Sequence, residues 1–307
     1  NYFTANLTNK YNRVRIIGDI HGCYTALQQA ITPWDEKTLY IFCGDYLERG
    51  IENKEMMYEM MRLSTLPNTI MLEGNHERHI ANFAFHTNLD RSKRFMKDVV
   101  APIVKDMTKK EVESLQRELR LFYKSLRQCY PFSFHGKKYL VSHGGLSYVP
   151  NMTFIATSTF INGFGAYETN IANIYDTNYE QGMCQDFIQI HGHRGVPDGK
   201  YSFCLEGEVE FGGDLKYIDI TANTFTKNGI KNDVYDKDYM RHEFQNMTQH
   251  IIFTQNEDIN IIGNSKLVKV KQCFPNLYSL NFTSRVFHKR LWNESTVHAR
   301  GLFVDRI

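Results

Sequence analysis

The chain has 307 residues, of which 42% are hydrophobic and 23% charged, which is enough for a full core in one large domain or two. No apolar run approaches the ~18 residues that a membrane-spanning helix needs, and the opening NYFTANLTNKYN lacks the pattern of a secretory signal. The six cysteines are scattered singly without a CxxC pair, which favours reduced thiols. We therefore expect a cytoplasmic protein without a membrane partner.

The first hundred residues alternate segments of strand-like and helix-like pattern. The predicted elements, in chain order, are strand 13–19, helix 24–31, strand 38–45, helix 53–64 and strand 68–75. This order implies parallel strands joined by right-handed crossovers. Each predicted strand contains a glycine followed by a polar residue, namely Asp19, Asp45 or Asn75. We expect these three side chains to meet in one crevice, because sites in open α/β sheets form at the carboxyl ends of strands.

The rest of the chain changes character several times. Residues 76–130 are predicted to be mostly helical, with a capping box formed by Thr108 and Glu111, and the part from 80 to 130 is expected to shape the groove around the site. Strand patterns return at 137–145 and 186–193, and a hairpin is predicted within 201–220. The predicted division is a domain at 1–222, a polar linker at 223–242 and a partial, strand-rich C-terminal module at 243–307.

The net charge of +2 is unevenly distributed along the chain. Residues 265–307 contain eight Lys and Arg but only two acidic residues, so this tail carries +6 and the remaining body −4. Such an asymmetry indicates a separate module with an anionic partner, such as nucleic acid. A solvated basic surface without a partner would have the same composition.

Polar residues of ligand type follow the strand patterns at five places. They are Asp19, His21, Asp45, Asn75, His76, His143 and His193. A single Asp or His of this kind is more often a turn or core residue. The prediction of a metal site therefore depends on the occurrence of such residues at all five places. Carboxylates and imidazoles together suit two divalent first-row metal ions. Two ions bridged by a carboxylate ~3.5–4 Å apart can activate a water and neutralise charge on a phosphoryl group.

The blocks GDIHG, GDYLERG, GNHE, SHGG and HGH occur in this order within residues 13–220. They resemble the signature blocks of calcineurin-like metallophosphoesterases, in particular the phosphoprotein-phosphatase branch. The resemblance implies an α/β fold, an αββα sandwich of two sheets with a dimetal site at one edge. It implies that the first metal is held by Asp19, His21 and Asp45, that Asp45 bridges, and that the second metal is held by Asn75, His143 and His193.

The same resemblance implies roles in catalysis and substrate binding. His76 would be the general acid that protonates the leaving oxygen, and Arg49 and Asn75 would bind the phosphate. The family commonly has Asp before this arginine, whereas this chain has Glu48, which is one methylene longer and is expected to orient His76. Arg194 is expected either to add a phosphate contact or to be a surface residue.

Residues 273–305 resemble the opening of the nucleotidyltransferase domain of phage-type RNA ligases. The resemblance is carried by Asn281-Phe282-Thr283, Trp292-Asn293-Glu294 and the segment 300–305. A basic, strand-rich appendage is the alternative interpretation. The chain contains no lysine in the K-x-(D/N)-G context that such ligases use to accept AMP, so the tail as given is not expected to ligate.

Three functional hypotheses follow. The first is a dimetal phosphoesterase that removes 3′-phosphate or 2′,3′-cyclic phosphate from RNA ends during RNA repair. The second has the same chemistry on phosphoserine or phosphothreonine proteins or on dinucleoside tetraphosphates. The third is a nucleic-acid-binding module with an inactive phosphatase, against which the intact motif residues argue. We expect Mn²⁺ as the metal, with Fe, Zn or Ni as alternatives, and the sequence specifies no oligomeric state.

Overall fold

The computed structural model describes residues 4–150, 156–166 and 169–237 with their side chains, and beyond them the backbone of five short strands. It divides between Tyr235 and Asp236 into two compact units. Among the residues described, no helix combines the length and the apolar character that crossing a bilayer requires. The five cysteines of this part are free thiols.

The first unit contains ten strands and eight α-helices among its described residues. The strands are β1 (Ala5–Asn6), β2 (Arg13–Ile17), β3 (Thr38–Phe42), β4 (Thr69–Met71), β5 (Cys129–Phe134), β6 (Lys137–Ser142), β7 (Phe187–His191), β8 (Ser202–Cys204), β9 (Asp214–Ile220) and β10 (Phe225–Lys231). The helices are α1 (Tyr24–Ile31), α2 (Asn53–Ser64), α3 (Glu77–Phe85), α4 (Lys93–Phe95), α5 (Ala101–Val104), α6 (Lys109–Ser125), α7 (Thr157–Asn162) and α8 (Ile171–Glu180).

The strands form two mixed sheets, ordered β10-β9-β2-β3-β4 and β1-β5-β6-β7-β8. Strands β2, β3 and β4 are parallel neighbours, and α1 and α2 lie between them in the chain, which confirms the predicted β-α-β-α-β arrangement. In the second sheet β6, β7 and β8 are parallel. The carboxyl ends of parallel strands meet at one edge of a sheet, and this places the polar residues that follow them together.

One hydrophobic core fills the space between the sheets, and two others lie outside them. Ile16 and Ile41 of the first sheet share the inner core with Val141 and Ile190 of the second. Their neighbour Ile17 points to the opposite face and packs in a core with α1, α2 and α6. A third core joins Leu140 and Phe187 of the second sheet to Tyr175 of α8. Successive strand residues point to opposite faces, so these layers form the expected αββα sandwich.

The predicted helical segment after β4 is helical in the structure. A 3₁₀ turn (Leu89–Ser92) and a π-helical turn (Met96–Val100) connect its short helices. Helix α6 begins at the predicted capping box, in which Thr108 accepts from the backbone of Glu111 and Glu111 in turn accepts from the backbone of Thr108.

Two predictions for the later part of the unit are wrong. The segment 201–220 does not form a hairpin, because β8 pairs with β7 in the second sheet whereas β9 pairs with β2 and β10 in the first. The chain therefore crosses between the sheets at residues 205–213. The predicted linker 223–242 is also corrected in part, since 225–231 form β10, which pairs with β9 along its whole length.

The second unit contains a sheet of strands in the order β11-β12-β13-β14-β15, in which all neighbours are antiparallel. They are β11 (His250–Ile251), β12 (Asn260–Gly263), β13 (Lys266–Phe274), β14 (Leu277–Leu280) and β15 (Leu302–Val304). The ligase-like elements at 281–283 and 292–294 lie outside the described residues.

Candidate active site

The residues that follow the carboxyl ends of β2, β3, β4 and β6 lie together in the structure. Asp45 Oδ2 is 3.5 Å from His21 Nε2 and 3.4 Å from His143 Nε2. His143 Nε2 also lies 3.1 Å from Asn75 Oδ1. Asp45 therefore stands between side chains that come from both sheets, in the position that a bridging ligand needs.

The remaining two predicted metal ligands join the same cluster. The backbone N–H of His193, after β7, donates to both carboxylate oxygens of Asp19 at 3.1 and 3.0 Å. The ring of His193 lies 4.9 Å from that of His143, measured between centroids. Ligand atoms of Asp45, His143 and His193 all lie within 4.8 Å of one another. The structure thus brings together the six residues predicted to hold metal.

Two glycines of the sequence blocks make this close approach possible. A Cβ atom on Gly74 would overlap Oδ1 of Asp45, and a Cβ atom on Gly192 would overlap Oδ1 of Asp19. Several site residues also have a positive φ, a backbone conformation that is uncommon and strained for residues other than glycine. The non-glycine site residues with positive φ are His21, Asp45, Glu48, Arg49 and His193, at 46°, 54°, 78°, 69° and 65°.

The imidazoles are oriented by the protein backbone. Nδ1 of His21 lies 3.3 Å from the carbonyl oxygen of Leu47, and Nδ1 of His143 lies 2.9 Å from that of Cys43. A carbonyl can only accept, so Nδ1 carries the proton in both rings and Nε2 faces Asp45. This orientation by an outer hydrogen bond is typical of metal-binding histidines.

The electrostatics of the cluster indicate a site that requires a cation. Burial and the nearby Glu206 carboxylate raise the pKa of Asp19 well above its usual range. Burial opposes the charged form of His143, yet Asp45 and Asp19 raise its pKa to about 10. A proton on His143 therefore supplies positive charge in this arrangement. Carboxylate, amide and imidazole donors around two carboxylates fit divalent metal ions, which would replace that charge.

His76 lies beside this cluster and is held by Glu48. Nδ1 of His76 forms a short hydrogen bond with Oε2 of Glu48, and its backbone N–H donates to Asp45 Oδ1 at 2.9 Å. Burial would raise the pKa of Glu48, but the hydrogen bond and the charge of His76 lower it, so Glu48 is an anion. The extra methylene of Glu48, relative to the usual Asp, does not prevent the contact.

The helical insertion reaches the same glutamate through His79. Nε2 of His79 lies 4.0 Å from Oε2 of Glu48, and its Nδ1 lies 2.8 Å from the hydroxyl oxygen of Ser92. The His79 ring also stacks on Phe95 with 5.9 Å between centroids. His79, which has no role predicted from the sequence, lies between the insertion and the Glu48–His76 pair.

Arg49 lies across the front of the cluster. Its Nη1 lies 3.2 Å from His21 Nε2 and its Nη2 lies 3.1 Å from His76 Nε2. Nη1 also donates to Oε1 of Glu210 at 3.0 Å. Burial disfavours the guanidinium charge, but Glu210 and Asp45 outweigh it and raise the pKa of Arg49 above its usual value. A permanently charged, fork-shaped donor beside the candidate metal ligands is suited to phosphate.

The expected phosphate contact of Arg194 is not supported. Its side chain is buried, with 1% of the residue exposed, so it is not a surface residue either. Its guanidinium donates to the backbone carbonyls of Ala166 at 2.7 Å and Asn162 at 2.9 Å. Arg194 therefore fixes the segment after α7, where its carbonyl partners take up the donors that a phosphate would need.

Three buried acids near the site were missed by the sequence analysis. Glu77 accepts from the backbone N–H groups of Asp45 and Gly74 at 2.9 and 2.6 Å, and it thereby fixes the loop that carries the bridging residue. Glu206 has a carboxylate oxygen within 4.8 Å of ligand atoms of Asp19 and His21. Glu77 is the last letter of the GNHE block and could have been found there. Glu206 and Glu210 lie in the crossing between sheets.

The chemistry that these residues can perform follows from their positions. Divalent ions held by the Asp19–His21–Asp45 and Asn75–His143–His193 sets would supply an activated water and offset phosphoryl charge. Arg49 can donate two N–H groups to a phosphate. Glu48 binds Nδ1 of His76 and turns Nε2 toward the cluster, where a proton carried on Nε2 can be given to a leaving oxygen. This arrangement is that of a metal-dependent phosphatase.

Comparison with known proteins agrees with this class. A family profile described as calcineurin-like phosphoesterase matches residues 12–230, and the chain therefore belongs to this family. Phosphoesterases of this family depend on two metal ions, and the cluster around Asp45 is a fitting place for them. The metal-ligand cluster and the family membership agree with a metal-dependent phosphatase.

Similar curated proteins act on different substrates. Over 80 residues the chain is 38% identical to serine/threonine-protein phosphatase 2 of Salmonella typhimurium, covering 25% of this chain and 34% of the relative. Over 136 residues it is 32% identical to the symmetrical bis(5′-nucleosyl)-tetraphosphatase of Baumannia cicadellinicola, covering 43% of this chain and 41% of that relative. The chain thus spans less than half the length of either protein.

A solved structure shows the same fold at low sequence identity. The cold-active protein-tyrosine phosphatase of a Shewanella species superimposes with a TM-score of 0.50 at 14% identity, covering 75% of this chain and 83% of that protein. The similarity therefore concerns the arrangement of sheets and helices.

Proposed function

We propose that this phosphatase hydrolyses phosphate esters at a centre of two divalent ions, with His76 as general acid and Arg49 as phosphate ligand, and that its substrates are phosphorylated RNA ends. The observation that carries the catalytic part is the position of His76. Its imidazole is held by Glu48 on one side and faces Arg49 at 3.1 Å on the other, directly beside Asp45. A leaving oxygen at this place can receive a proton as its bond to phosphorus breaks.

The choice of RNA ends is supported by the C-terminal part of the chain. Residues 265–307 carry a net charge of +6, which favours a polyanionic partner. Their resemblance to the opening of a phage-type RNA ligase would place a phosphatase next to a ligase in one protein. Removal of a 3′-phosphate or 2′,3′-cyclic phosphate leaves the hydroxyl that ligation requires. This support comes from the association of two domains in one chain.

A second candidate is favoured by the comparisons and is supported at least as well. The relatives include a serine/threonine-protein phosphatase and a dinucleoside tetraphosphatase. The same centre would then act on phosphoserine or phosphothreonine, or on a dinucleoside tetraphosphate. The chemistry at phosphorus is shared, so the difference would lie in the groove around the centre, which residues 80–130 are expected to shape.

Parallel assays of the full chain separate these substrates. The Mn²⁺-loaded protein is assayed on 3′-phosphorylated RNA, a 2′,3′-cyclic nucleotide, a phosphopeptide and a dinucleoside tetraphosphate. We expect the highest kcat/KM on one of the two RNA-end substrates. A preference for the phosphopeptide or the tetraphosphate by orders of magnitude would overturn the RNA-repair proposal and support the second candidate. A decrease of all four activities in His76→Ala would assign the measured hydrolysis to this site.

A further inference from the structure

The loop that crosses between the sheets delivers a buried carboxylate to Arg49. Oε1 of Glu210 accepts from Nη1 of Arg49 at 3.0 Å, and the Glu210 side chain is fully buried while 29% of the Arg49 side chain is exposed. We propose that Glu210 is a positioning residue, which holds the Arg49 guanidinium in the orientation that binds the phosphate. The proposal rests on phosphate ester hydrolysis at this site and is independent of which phosphate ester is the substrate.

The shape of the crossing fixes Glu210 in place. Glu210 lies in a 3₁₀ turn (Val209–Phe211) that ends at Gly212, whose φ is 78°. The side chain of Asn232, just after β10, donates to the carbonyl of Val209 at 2.8 Å, and Asn232 is buried with 1% exposed. Strand β10, which was predicted to be linker, thus places Asn232 where it supports the turn. Because a buried amide holds the backbone of this turn, the Glu210 carboxylate has little freedom to change position.

The other contacts of Arg49 show why such an anchor is needed. Its remaining neighbours within hydrogen-bond distance are the Nε2 atoms of His21 and His76, and both atoms have other tasks in the proposed chemistry. A metal ion at His21 would take the lone pair of its Nε2, and the proton of His76 Nε2 would be given to the leaving oxygen. Among the described residues, Glu210 is the one hydrogen-bond partner of Arg49 that has no such second task. It uses one of the five guanidinium donors.

The alternative is that Glu210 forms a buried ion pair that serves only the stability of the fold. Its Oε2 has no hydrogen-bond partner among the described residues, so the carboxylate is not the centre of a satisfied structural network. A purely structural role would change the melting temperature but not the affinity for phosphate. A positioning role makes the effect of Glu210 depend on the presence of Arg49.

A double-mutant cycle tests the proposal. Glu210→Gln, which preserves size and removes the charge, is combined with Arg49→Ala, and hydrolysis of an aryl phosphate and inhibition by inorganic phosphate are measured in Mn²⁺. In the wild-type background we expect Glu210→Gln to lower kcat/KM by about 10- to 100-fold and to raise the inhibition constant of phosphate about tenfold. In the Arg49→Ala background the same change should have less than a twofold effect on both.

The control is Glu59→Gln, which removes the charge of another buried glutamate paired with an arginine, Arg62, on α2 away from the site. It should leave both constants within twofold. Equal effects of Glu210→Gln with and without Arg49, or unchanged inhibition by phosphate, would overturn the proposal. If Glu210→Gln does not fold, Glu210→Asp is put through the same cycle with the same criteria. Absence of hydrolysis by the wild-type chain would instead contradict the proposed function, and that outcome is distinguishable from these.

Discussion

Glu48 binds the Nδ1 proton of His76 and leaves Nε2 of that ring beside Asp45, at 3.9 Å from its Oδ2. Both Glu48 and its neighbour Arg49 have positive φ angles, 78° and 69°. This turn brings a glutamate, rather than the shorter aspartate common in the family, within reach of the imidazole. The pair therefore fixes which ring nitrogen of the candidate acid faces the cluster.

Removal of the charge at Glu48 should weaken catalysis without dissociating metal. Glu48→Gln retains an oxygen for the Nδ1 proton but replaces the charge-assisted hydrogen bond that orients the ring by a weaker neutral one, so we expect kcat to fall on the order of 10- to 100-fold. The steady-state rate on an aryl phosphate and the Mn²⁺ content by elemental analysis check this. Glu48→Asp, the residue more common in the family, is the matched comparison and should retain more activity than Glu48→Gln. A rate equal to wild type for Glu48→Gln would contradict an orienting role.

Loss of the imidazole itself should have a larger effect. For His76→Ala we expect a decrease of about 10²–10⁴-fold in kcat, the usual contribution of a general acid. The effect should be smaller on substrates with good leaving groups, because these need less protonation. The check is a comparison of an aryl phosphate with an alkyl phosphate in both proteins. An equal decrease on the two would argue against proton donation by His76.

The strands of the first sheet were predictable, but their ends were not. The apolar runs at 13–19 and 38–45 predict strands two and three residues longer than β2 (Arg13–Ile17) and β3 (Thr38–Phe42). The chain leaves the sheet early because Asp45, and His21 after β2, take a left-handed conformation that a strand cannot contain. The ligand types were visible in the sequence, whereas the backbone geometry that presents them was not.

The acids behind the site could not be derived from periodicity. Glu206 and Glu210 lie in a crossing between two sheets, and the sequence pattern there resembles a hairpin. Which sheet a strand joins depends on tertiary packing, in this case the pairing of β9 with both β2 and β10. Arg194 shows the opposite error. Its position next to His193 suggests a phosphate contact, whereas its guanidinium donates to the backbone carbonyl of Ala166.

The glycines of the site should be necessary for metal binding. A methyl group at Gly192 would overlap the carboxylate of Asp19, so Gly192→Ala should move that ligand and weaken Mn²⁺ binding at least about tenfold. Isothermal titration with Mn²⁺ measures the effect. The matched control is Gly195→Ala, because a Cβ at exposed Gly195 would contact nothing within 4 Å. Equal affinities of the two variants would show that the Gly192 contact is unimportant.

The Glu59–Arg62 ion pair should give the fold part of its pH dependence. The hydrogen bond from Arg62 is the main reason that the pKa of Glu59 lies below its usual 4.5. A lowered folded-state pKa means that the stabilisation is fully present above pH 4.5 and is lost as the pH falls through the folded pKa. The difference in unfolding free energy between wild type and Glu59→Gln should therefore be larger at neutral pH than in acid below this window. Urea unfolding at both pH values measures it, and a difference independent of pH would contradict the assignment.

The most direct test is the number of metal ions that the chain binds at the cluster around Asp45. The protein is stripped with a chelator, reloaded with Mn²⁺, freed of excess ion and subjected to elemental analysis, and hydrolysis of an aryl phosphate is followed in parallel. We predict two ions per chain, and hydrolysis that disappears when they are stripped and returns when they are reloaded. The Asp45→Asn variant should lose both the bound metal and the activity while it still unfolds cooperatively. Full activity of the stripped protein, or a reloaded wild-type chain that retains no metal, would contradict the account.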